Sequence, residues 1–123
     1  MTLAEWESLS ERGRNEICAE TVMGWEKGSR DGTRWTKDGE EVRVGGFYPA
    51  SDRNDTVLLL DKIAEREQQR KFVRELLKIV SPLDIPAAII AGNIPLGMLW
   101  EHLWVLVNPA CSILAYCAVT ACG

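Results

Sequence analysis

Apolar side chains first recur at helical spacing behind Thr2, at Leu3, Trp6 and Leu9, and the Thr2–Glu5 separation is that of a capping box. Ser10 is placed to cap a second helix, whose inner face runs through Ile17, Cys18, Thr21 and Val22. Gly24 should stop it, because a glycine just past the last turn adopts the left-handed conformation without a Cβ clash. Trp25 then begins the next element and is expected to fold back onto the helix.

The period changes in "TRWTKDGEEVRVGGF" (33–47). Asp38-Gly39 suits a two-residue hairpin turn in which both positions need positive φ. An unbroken register pairs Lys37 with Glu40, Thr36 with Glu41, Trp35 with Val42 and Arg34 with Arg43; the last pair opposes like charges. Gly45-Gly46 should bulge or end the strand. Pro49 is unsuited to a central strand, and Ser51 or Asp52 caps a further helix with Asp52 and Asp55 at its positive end. Thr56, Leu59, Leu60 and Ile63 form the buried stripe of that helix. The polar run "EREQQRK" (65–71) separates it from "FVRELLKIV", which predicts two helices or one long bent one, with the run in solvent.

Beyond residue 80 the pattern becomes almost wholly apolar. Three prolines and two glycines divide "SPLDIPAAIIAGNIPLG", leaving room for a strand over 87–91. "HLWVLV" (102–107) reads as a central strand, apolar on both faces. Asn108 as cap and Pro109 at the first helical position then open a small-residue helix, "ACSILAYCAVTA".

With 123 residues and apolar and charged fractions of 46% and 26%, the chain fits one globular domain that needs no metal or disulfide staple. That domain, 1–123, has a charged part (1–80) and an apolar part (81–123) completing the core. A net charge of -4 argues against a nucleic-acid partner, which requires a basic face. All fourteen Lys and Arg precede residue 79, and only Asp84 and Glu101 carry charge after residue 80. The 21 uncharged residues 103–123 are long enough to span a bilayer as a tail anchor. Asn108-Pro109 interrupts them, however, and favours a buried strand with a docked helix. The apolar surface of that helix also suits self-association.

The charged, amphipathic opening reads as no signal peptide, and Cys18, Cys111, Cys117 and Cys122 form no C-x-x-C pair, so reduced thiols in a cytosolic protein are expected. A zinc site from Cys111, Cys117, Cys122 and His102 matches no familiar spacing, and no metal or cofactor is expected. His102, the one histidine, adjoins Glu101 without a nucleophile motif, and "GSRDGTRW" lacks the lysine and helix of a phosphate cradle. No catalytic residues emerge, so a non-enzyme is expected. Of the tryptophans at 6, 25, 35, 100 and 104, Trp25, Trp35 and Trp104 are expected to anchor the core. Trp6, on a charged helix, is the candidate for a partner surface.

In "AETVMGW" (19–25) a helix runs into a tryptophan. A tryptophan-bearing strand follows around Trp35, then "FYPASDRNDTVLLLDKI", in which a Pro-Ala-Ser-Asp segment leads into a helix. Together with the closing "LWVLVNPACSILAYCAVTA", this order resembles the phage ABA sandwich domain, a family of small phage and prophage proteins. The likeness covers about residues 10–64, and 102–122 by order of elements. The sequence departs from it at "EREQQRKFVRELLKIV", at the Pro-rich stretch 81–97 and in the uncharged final helix. The resemblance implies an α/β fold, a small antiparallel or mixed sheet between helical layers, and no catalytic residues. The expected role is a non-enzymatic accessory protein in the host bacterial cytoplasm, binding a host or phage macromolecule in host takeover or counter-defence. The alternatives are a module that sequesters a small molecule or nucleotide on its tryptophans and a tail-anchored membrane protein.

Overall fold

A computed structural model describes residues 1–30, 33–79 and 110–123. Its elements are helices α1 (Leu3–Ser8) and α2 (Glu11–Cys18), a π-helical turn (Ala19–Met23), strands β1 (Glu26–Lys27), β2 (Arg34–Lys37) and β3 (Glu40–Val44), and helices α3 (Arg53–Glu65), α4 (Gln69–Leu77) and α5 (Ala110–Cys122). The result is a mixed α/β fold with a small antiparallel sheet in the order β1-β2-β3.

The helix starts follow from their capping residues. Thr2 Oγ1 accepts the Glu5 N–H at 3.2 Å, and Ser10 Oγ accepts that of Gly13 at 3.1 Å. For α3 the cap is Asp52, whose carboxylate accepts from Asn54 and Asp55 N–H. Ser51 is not the cap; its hydroxyl donates instead to Glu11 Oε1 at 2.6 Å. Gly24 ends the π turn at φ 72°, where its own N–H and that of Trp25 both reach the Ala19 carbonyl. The run 65–71 separates two helices through Glu67 at φ 56°. Expected in solvent throughout, it instead sends Arg66 back to the Thr21 and Val22 carbonyls at 2.9 and 3.0 Å. A cation there neutralises the negative end of the π turn.

The sheet requires a second correction. Asp38 (φ 54°) and Gly39 (φ 83°) make the expected turn, and Lys37–Glu40 and Thr36–Glu41 pair as predicted. A bulge between Trp35 and Thr36 then leaves Val42 unmatched, so Trp35 faces Arg43 and Arg34 faces Val44. The one-residue slip separates Arg34 from Arg43 and turns Arg43 to Asp55, at 2.7 Å. Asp55 is 5% exposed and also accepts the Tyr48 N–H at 2.9 Å, so this carboxylate fastens the hairpin exit to α3.

The core is mainly helical. α5 packs on α3 and α4 and also touches α2 and the π turn. Cys111, Leu114, Ala115, Tyr116, Cys117, Ala118, Val119 and Ala121 are all buried. A helix buried over most of its surface, with Ser112, Ile113, Thr120 and Cys122 part-exposed, leaves little room for an unpaired charge, which fits the composition of this part of the tail. Most of its apolar surface is covered by its own chain, with Ile113 and Cys122 partly exposed. At 13 residues it is about 20 Å long, short of the ~30 Å hydrocarbon core of a bilayer. Among the described residues no helix is long and apolar enough to cross a membrane. Trp100, His102, Trp104, Asn108 and Pro109, the strands expected over 87–91 and 102–107, and the first part of the segment considered as an anchor lie outside the described residues.

Trp6 corrects the expectation of a partner surface. It is 1% exposed, its Nε1 donates to Ser112 Oγ at 3.1 Å, and its ring lies 6.1 Å from that of Tyr116. Arg14 closes over it, donating to the Trp6 and Glu7 carbonyls at the end of α1. Six residues cannot hold a helix alone, so α1 persists because Trp6 plugs it into the core beside α5.

Candidate functional site: an aromatic cleft beside α2

The second aromatic cluster lies between the hairpin and α2. Trp25, half-buried, has its ring 6.4 Å from Trp35 and 4.9 Å from Phe47. Trp35 and Phe47 are each 2% exposed, and the Arg43 guanidinium sits 5.1 Å from the Phe47 ring centre. Trp35 is buried in the core, whereas Trp25 packs against it from a half-buried position. Tyr48 differs: it is 51% exposed, and its ring lies against Gly46 so closely that a Cβ there would collide with it.

Glu11, Arg12, Asn15 and Glu16 of α2, with Trp35, Phe47 and Tyr48, line a cleft of about 360 Å³. Its lining is aromatic at Trp35, Phe47 and Tyr48 and polar along α2. Two contacts dock the loop after the hairpin onto α2: buried Asn15 accepts the Ala50 N–H through Oδ1 at 3.0 Å, and Ser51 reaches Glu11. Glu16 joins the remaining side, its Oε1 2.8 Å from Lys27 of β1 and 3.1 Å from Arg12. The Lys27 hydrogen bond, against an opposing effect of burial and with help from Arg12, lowers the Glu16 pKa and keeps it a carboxylate. Arg12 is further committed to the Arg30 carbonyl at 2.7 Å. Trp35 Nε1 is covered and has no hydrogen-bond partner among the described residues.

Of the described residues singled out in the sequence, only Trp35 lines this cleft. Gly24, Asp38 and Gly39 shape turns, Trp25 packs behind it, and Ser51 and Asp52 fix the loop. The α2 residues went unnoticed because Glu11, Arg12, Asn15 and Glu16 read as a solvated helix face. Tyr48 offered one signal, an aromatic pair directly after Gly45-Gly46.

The thiols have no sign of nucleophilic activation. Burial raises the pKa of Cys18 and Cys111, pushes Cys117 up to about 12, and raises that of Cys122 despite Arg66 and Lys71 nearby. All four are free. Among the described residues no three His, Cys, Asp or Glu side chains are grouped to hold a metal ion. No protein-family model, curated protein or solved structure matches this chain.

Proposed function

We propose that this protein is a non-enzymatic binding module, an accessory protein of phage or prophage origin acting in the bacterial cytoplasm, whose recognition site is the cleft beside α2. The cleft carries this reading: about 360 Å³ falls within the ~300–1,000 Å³ of small-molecule sites, and aromatic side chains with a few polar groups are their usual lining. The phage origin and the sandwich family rest on sequence order alone, the Gly24-Trp25 stop, the Trp35 strand and the 47–52 loop entering α3. Non-enzymatic action is supported by thiols biased toward their protonated form. The macromolecular reading is the weaker one, because Trp6, its intended contact, is buried. Tryptophan fluorescence and thermal shift against a fragment library test the proposal, with Tyr48→Ala as control. Fragments that stabilise the protein and lose their effect in the variant support it. A library without a single stabilising fragment overturns it, as does stabilisation indifferent to Tyr48.

A further inference from the structure

We infer that the exposed face of α4 is a docking surface for an acidic protein segment whose carboxylates recur one helical turn apart; this stands independently of the cleft. Four cations, Arg70, Lys71, Arg74 and Lys78, are exposed, while Phe72, Val73 and Leu76 turn to the core. At 3.6 residues per turn the four fall within an arc of about 100°, and Arg70, Arg74 and Lys78 follow one another at a rise of about 6 Å. The sole acid of 68–78 is Glu75, which pairs with Lys78 at 3.0 Å. Arg70, Lys71 and Arg74 make no ion pair or side-chain hydrogen bond among the described residues. On α2 and α3, by contrast, Arg12 is engaged by Glu16, Arg14 by two carbonyls and Lys62 by Glu65.

These cations do not serve the helix that carries them. The first turns of α1, α2 and α3 hold Glu5, Glu11 and Asp55, which suit the positive end of a helix. α4 has no acid there and no side-chain cap, and its first turn carries Arg70 and Lys71 instead. Local stability is given up for a surface of one sign, as expected where that surface meets a partner. The partner is acidic and narrow. Phe72, the one aromatic residue of 65–79, is buried, so no ring is offered for bases to stack on. The apolar side chains of α4 all pack on or against the core, leaving none to insert into lipid. A net charge of -4 opposes a duplex or a charged bilayer, either of which approaches over a wide front. A peptide segment meets the stripe alone, within a Debye length of about 8 Å. The guanidinium forks of Arg70 and Arg74 match its carboxylates in bidentate fashion.

The test is fluorescence anisotropy of the full chain with a dye-labelled, alanine-based peptide carrying three Glu residues one turn apart. The peptide should bind, and weaken as salt is added. Labelled single-stranded and duplex oligonucleotides, and phosphatidylserine vesicles in co-sedimentation, should bind more weakly. Arg70→Glu with Arg74→Glu should weaken the peptide at least about tenfold, since two exposed pairs become two repulsions. Arg30→Glu with Arg34→Glu changes the net charge equally at exposed positions elsewhere and should leave the peptide bound. Thermal melting separates docking from a structural role: with an acid in its first turn, the α4 variant should melt higher than the parent while losing the peptide. Should it fold poorly, Arg70→Gln with Arg74→Gln removes the charges alone and must still weaken the peptide. No peptide binding at low salt, binding unchanged by the α4 variants, or equal loss in the Arg30 and Arg34 variant overturns the inference. So does an oligonucleotide or vesicle held more tightly through the same arginines. Cleft fragments are titrated separately, so either proposal can fail without the other.

Discussion

Trp6 and the cysteines carry the molecule's largest single-residue sensitivities. Truncating Trp6 removes a fully enclosed ring and leaves Ser112 without its donor, so Trp6→Ala should cost about 3–5 kcal/mol in urea denaturation. Ser112→Ala removes only the acceptor and should cost about 1–3 kcal/mol, the penalty of an unpaired Nε1. The thiols set a pH limit. Buried Cys18 and Cys117 hold their protons in the fold to higher pH than an unfolded thiol, which ionises near ~8.5. Their contribution is therefore complete below about pH 8.5. It declines as pH rises beyond that, up to about 12 for Cys117, because the unfolded chain loses protons first. A Cys18→Ala, Cys117→Ala double variant should lose stability less steeply between about pH 8.5 and 10 than the parent, measured by denaturation at each pH.

Among the elements, those with side-chain punctuation were legible from sequence. Thr2, Ser10 and Gly24 mark helix ends through their own chemistry, and Asp38-Gly39 accepts φ values most residues avoid. Asp52 is of the same kind: Asp52→Ala should destabilise by about 0.5–2 kcal/mol in urea, with loss confined to the start of α3 in hydrogen exchange. The bulge at Val42 was invisible because its cause is remote. It is selected by Asp55, twelve residues from Arg43, and strand alternation contains no trace of that partner. The π turn was hidden for a related reason, since "AETVM" has the composition of an ordinary helical segment. What singles it out is the demand that Trp25 meet Phe47.

At the scale of the whole molecule, two aromatic clusters meet helical packing, and the carboxylates of Asp55 in α3 and Glu16 in α2 tie the sheet to the helices. Asp55→Ala leaves the Arg43 Nη2 donor and the Tyr48 N–H without their acceptor, while Arg43 Nε keeps the Gly46 carbonyl. About 3 kcal/mol of destabilisation is expected, the lower end for a broken buried pair because Arg43 is partly exposed. The same variant should lose cleft ligands even where it stays folded, which titration at low temperature would detect. Of the apolar tail, only the final small-residue helix lies among the described residues, and α5 is packed there as its composition led one to expect. The cleft was not legible, because its walls come from 11–16, 35 and 47–48 and no local pattern links them.

The extra-wide turn at Ala19–Met23 makes the aromatic arrangement depend on residue count rather than residue type. Deleting exposed Glu20 would let the segment wind at the ordinary pitch, rotating everything downstream by about 100° and drawing it back about 1.5 Å. Circular dichroism should still report helix, while the fluorescence of Trp25 shifts to that of an indole in water. Length, held to a single residue over this stretch, is thus as strict a requirement of the aromatic cluster as any side chain within it.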